Sequence, residues 1–160
     1  MALFKSKQIA AGRNAPAPTE AVCAISVVGE VVTATGMTAD DVIEMVAFPA
    51  NTVPVDVTLV CEDLDSGGSP AITLDVGVLS GNYADGGTRT CGAEFLSAAT
   101  TGQAGGLARA TVPAGFLLGY SASDRSLGIK IGTAAATLAT GKKRRLMATF
   151  IPVTDVAAAT

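Results

Sequence analysis

The sequence predicts an all-β domain: an antiparallel β-sandwich or jelly roll of about eight strands, with an extended N-terminal arm and one short helix. Three observations carry this. Short runs rich in Val, Ile and Thr alternate apolar and polar residues with a period of two. Turn residues separate the runs, with 18 Gly and 7 Pro in 160 residues. No long helical period intervenes, as a parallel α/β sheet would require. At this length one domain is expected, large enough to bury most of its apolar surface.

Taken in order, residues 1–21 read as the arm and residues 22–160 as the sandwich. Lys5, Lys7 and Arg13 are spaced by small residues, and Pro16 and Pro18 oppose helix and ladder pairing. Fully extended, such a segment reaches on the order of 70 Å. It reads either as a frayed terminus or as an arm that orders on a neighbouring subunit, with Phe4 and Ile9 as anchors. From Val22, VCAISVVGEVVTAT offers a strand pair or one strand broken near Gly29. DVIEMVAF sets Val42, Glu44 and Val46 against Ile43, Met45 and Ala47. In VPVDVTLVCE, Val53, Val55, Val57, Leu59 and Cys61 share one face; in AITLDVGVL, Ile72, Leu74, Val76 and Val78 do. LARATV, GFLLGYSA, LGIKIGT and RLMATFIPV supply four further runs. EFLSAATTGQ reads as the short helix, stopped by the glycines of GQAGG.

Composition removes several function classes. The chain has no histidine, which excludes Ser-His-Asp and Cys-His catalysis and nearly all zinc sites. A net charge of −3 gives no global attraction for nucleic acid or an acidic membrane. No apolar run approaches the roughly 18 residues that span a bilayer, and no apolar segment of signal-peptide length follows the basic N-terminus. Synthesis in the cytosol without a cleaved signal is expected. Cys23, Cys61 and Cys91 are odd in number and lack metal-ligand spacing; they read as small buried residues.

The stretch CEDLDSGGSPAITLDVGVLSG, Cys61 to Gly81, poses the sharpest question. Its Glu62, Asp63, Asp65 and Asp75 around a Ser-Gly-Gly-Ser-Pro knot suggest a calcium loop, a catalytic pair or a solvated turn. Counted from Asp63, the loop pattern of an EF-hand would need ligands where Gly67 and Leu74 stand, so it fails twice. A hairpin-type connection held in water by its carboxylates is expected, with a weak cation site the alternative. Asp40 or Thr38 reads as a turn cap. In KKRR, Lys142, Lys143, Arg144 and Arg145 repel one another and are expected in water or against an acidic partner. No aromatic platform or second basic block accompanies them, which argues against nucleic acid. GQAGG and SGNYADGG lack the Lys-Ser/Thr of a phosphate loop. No cofactor, metal or catalytic residue is expected.

The succession TADDVIEMVAFPANTVPVDVTLVCEDLDSGGSPAITLDVGVLSG, FLSAATTGQAGGLARATV and RRLMATFIPV, residues 38 to 153, resembles small virion structural proteins of tailed bacteriophages. The resemblance is most like capsid decoration, or cement, proteins. It implies a non-enzymatic protein that binds the major capsid protein on the outside of the shell and associates with itself, commonly as a homotrimer. The alternatives are another virion component, such as a tail, collar or fibre-base module, and a carbohydrate-binding β-sandwich, against which the absence of Trp and the presence of only two Tyr count. Phe4, Lys5, Lys7, Ile9 and Arg13 of the arm and Lys142–Arg145 are then the expected partner-binding residues.

Overall fold

The computed structural model describes residues 3–5 and 24–153. Nine strands occur among them: β1 (Leu3–Lys5), β2 (Ile25–Val32), β3 (Val42–Phe48), β4 (Thr52–Cys61), β5 (Thr73–Val78), β6 (Leu96–Ala99), β7 (Gly106–Arg109), β8 (Arg125–Thr133) and β9 (Lys143–Pro152). They form two sheets, ordered β1-β3-β8-β5-β6 and β2-β9-β4-β7. Every pairing is antiparallel except β1 on β3. From β2 onward the chain changes sheet at every connection but β5–β6, and this interleaving is that of a jelly roll. The sandwich expected from the alternation is the fold observed.

The alternation explains the core. Leu127, Ile129 and Ile131 of β8 and Leu74 and Val76 of β5 face Val57 and Leu59 of β4 and Leu146, Ala148 and Phe150 of β9, all nearly inaccessible. Phe48 and Phe150 stack across the sheets with ring centroids 4.8 Å apart, and the Arg125 guanidinium lies 4.1 Å from the centre of the Phe48 ring. Truncating either ring to Ala would cost about 3–5 kcal/mol.

The first sheet is covered on both faces, which the sequence did not foretell. Segment 79–95 folds back over its outer side, where Val42, Leu79 and Cys91 make a second small core. Gly77 makes this close approach possible, since a Cβ there would stand 2.3 Å from the Gly92 carbonyl oxygen. As a result all seven residues of β3 are buried, Glu44 included.

Several local expectations are corrected. The single face expected for Val53 through Cys61 breaks at a bulge between Pro54 and Asp56. Past it Val57, Leu59 and Cys61 turn inward, while Val55 is exposed. β4 and β5 lie in different sheets, so the acidic knot is a crossover between layers and not a hairpin. EFLSAATTGQ is not a helix: Leu96–Ala99 pairs with β5, and only a 3-10 turn, Thr101–Gln103, follows. Gly102 packs on Leu64 and Ile72 there, and the positive φ of Gly105 and Gly106 carries the chain out of the turn. GFLLGYSA is not a strand, because Pro113 opens a 3-10 turn, Pro113–Leu117, and Gly115 sits against the Phe95 ring.

Candidate assembly surfaces

The four acidic residues around the Ser-Gly-Gly-Ser-Pro knot have separate roles. Asp63 accepts the Asp65 amide at 3.0 Å, a local turn contact. Asp65 is 1 % exposed, which corrects the expectation that it lies in water. Its carboxylate accepts the amides of Gly67, Ala71, Ile72, Ala136 and Thr137 at 2.7–3.2 Å. Burial alone would raise its carboxyl pKa, but the amides of Thr137, Ala71, Ala136 and Ile72 outweigh it and hold the group well below the usual carboxylate range. Glu62 accepts the Lys143 amide at 2.6 Å, and Asp75 pairs with Lys130 at 3.1 Å. These carboxylates stitch segments together. Among the described residues no group of three or more His, Cys, Asp or Glu is arranged to hold a metal.

A second buried hub lies over the first sheet. Glu44 pairs with Arg89 at 2.5 Å, and its same oxygen accepts the Ser126 hydroxyl and the Ala84 amide. Arg89 also donates to the Ser80 carbonyl at 2.6 Å. A charge in β3 thereby fixes the segment that covers it. Neither residue stood out in the sequence, since Glu44 follows the polar phase of its strand and Arg89 is isolated.

The expected partner-binding residues divide. Phe4 and Lys5 lie in β1, in register with Ile43 and Glu44. Lys7, Ile9 and Arg13 fall outside the described residues, as does Cys23. The KKRR run is not a solvated turn throughout, because Lys143 to Arg145 open β9. Arg144, at an inward position of the strand, is 1 % exposed, contrary to the expectation that the four cations lie in water or against an acidic partner. It donates to the Thr33 hydroxyl at 3.1 Å and approaches the Met37 sulfur at 2.9 Å, while Nε and Nη1 have no partner. Burial lowers its pKa to about 10, and burial raises the neighbouring Cys61 thiol to about 11. Cys91, also buried, is pushed up to about 12. Cys61 and Cys91 are free thiols in the interior, as the sequence suggested.

Lys143 and Arg145 point outward from the second sheet. That face carries exposed Val28, Val32, Met147 and Leu107. Strand register places Val28 beside Met147, and Leu107 beside Val60, which neighbours Arg145. Glu30–Arg145 at 2.6 Å and Asp56–Arg109 at 2.9 Å bridge its strands. Beside them lies a hollow of about 220 Å³ whose lining includes Val60, Glu62, Lys143 and Arg145. Apolar residues in solvent are here mixed with charges of both signs.

No family model matches the chain, and no curated protein is similar enough to match it. Solved structures do match. A chain in the capsid of Ralstonia phage GP4 is 37 % identical, with a TM-score of 0.89 over 96 % of this chain and 100 % of that one. A chain in the capsid asymmetric unit of cyanophage Pam1 is 26 % identical, with a TM-score of 0.68 over 88 % of this chain and 93 % of that one. Full-length identity at the level of the first match, on the same fold, means that this chain belongs to a family of phage capsid proteins and is a structural component of the virion.

Proposed function

We propose that the protein is a decoration, or cement, protein: it binds the major capsid protein on the outside of the assembled shell, as a homotrimer, and stabilises the particle without catalysing a reaction. The observation that carries this reading is the asymmetry of the sandwich. The outer side of the first sheet is largely covered by the protein's own segment 79–95, with a hollow left beside Asp40, Thr90 and Lys130, whereas the second leaves Val28, Val32, Met147 and Leu107 in solvent. A body largely closed on one side and open on the other suits one-sided attachment to a finished surface. Many copies on a shell make individually weak contacts effective together. The arm, through Phe4, Lys5, Lys7, Ile9 and Arg13, and the outward cations Lys142, Lys143 and Arg145 are assigned to contacts with the shell or with adjacent copies. Buried Arg144 is not a contact residue in the folded body.

The test is binding of the purified chain to shells that lack it. The wild type saturates the exterior, and a chain lacking residues 2–18 folds but binds poorly. Full occupancy by the truncated chain would overturn the arm's role. Incorporation into tails, or as an integral part of the shell wall, would overturn the decoration reading.

A further inference from the structure

We propose that the Leu3–Lys5 strand is exchanged between copies, so that β1 of one chain completes the β3 edge of its neighbour. The exchange presupposes the side-by-side copies of the decoration reading and specifies how they are joined.

The acceptor is unusual. β3 is buried on both faces, by the core on one side and by Leu79, Arg89 and Cys91 on the other. Its one remaining hydrogen-bonding surface is its free edge, which receives the main chain of β1 at Val42, Ile43 and Glu44. β1 makes the one parallel pairing among the described strands, a pairing that a two-residue hairpin cannot join. Its identity as donor rests on main-chain pairing, which any copy of the same chain offers equally.

The connection is far longer than pairing within one chain requires. β2 crosses β3 directly: a Cβ on Gly29 would stand 2.1 Å from the Met45 carbonyl oxygen. From Lys5, across Glu44 and Met45 to Gly29 and back along β2 to Ile25, the path is at most about 30 Å. Residues 6–24, 19 in number, reach on the order of 65 Å. A domain of this size is roughly 40 Å across. The slack therefore suffices to pass to an adjacent copy, where closeness raises the effective concentration of each strand at its neighbour's edge.

The experiment uses the full chain in a Cys23→Ser background. One tagged population carries Phe4→Cys and a second, differently tagged, carries Ile43→Cys; these are register partners. They are co-assembled and oxidised. A disulfide joining the two tags is the expected result, and the double variant Phe4→Cys/Ile43→Cys alone should give a ladder of linked chains. Should Ile43→Cys disturb the core, a benzophenone amino acid at position 4 leaves β3 intact. Irradiation of mixed isotope-labelled and unlabelled chains then yields cross-links of mixed isotope composition. Links confined to single chains, in monomer or oligomer, would overturn the exchange. Shell binding is measured in parallel on the unsubstituted chain. Intrachain links with full binding would discard the exchange and keep the decoration reading; mixed links without binding would do the reverse.

Discussion

The carboxylate of Asp65 holds the backbone amide of Thr137 at 2.9 Å across 72 positions of sequence. The same group holds Ala136, Gly67, Ala71 and Ile72, so one buried side chain organises both the β4–β5 and β8–β9 connections. Asp65→Ala is expected to lower the thermal midpoint clearly more than Asp63→Ala, whose side chain serves one amide of its own loop. Equal shifts in thermal denaturation would contradict this.

The same carboxylate sets an acid dependence. Its folded pKa lies below the ordinary value of 3.8, so its contribution is complete above that value and is lost as pH falls through the folded pKa. The stability gap between wild type and Asp65→Asn should therefore be widest near neutrality and shrink below about pH 4. Denaturant midpoints at several pH values check it, and a gap that stays constant into strong acid would count against the hub.

Arg89 is the only described cation on buried Glu44, and both are almost wholly inaccessible. Arg89→Ala strands a charge and should cost about 3–5 kcal/mol, with faster amide exchange across residues 80–90. The double variant Glu44→Gln/Arg89→Met should recover much of that loss. Additive losses in the cycle would show that the pair is not coupled.

Arg144 is the opposite case, a buried cation with no carboxylate paired to it among the described residues and two nitrogens without a hydrogen-bond partner there. Arg144→Met is expected to be neutral or stabilising, by up to about 1–4 kcal/mol. A drop in the chemical denaturation midpoint would mean that its bonds to Thr33 and Met37 outweigh the desolvation.

Much of the fold was legible in side-chain periodicity. Leu127, Ile129 and Ile131 against Gly128, Lys130 and Gly132 specify a one-sided strand, and the structure agrees. The period fails where a tertiary event resets it, as at the bulge beside Val55 or in β3, whose polar phase is buried by a segment more than 30 residues away. Neither event leaves a mark in local sequence. Asp65 and Arg144 were misplaced for a related reason: charge predicts exposure unless a set of amides or a closed sheet end receives it. Strand order was not legible, since it depends on which layers the connections cross. The open face of the second sheet was visible only as alternation, because its exposure depends on what fails to cover it.

The most direct measurement is electron cryo-microscopy of shells lacking this chain, before and after its addition. New density is expected on the outer surface, shaped as this jelly roll with the β2-β9-β4-β7 sheet turned to its contacts, at copy numbers that follow the shell lattice. Shells left bare at saturating protein, or density for this chain within the shell wall itself, would contradict it.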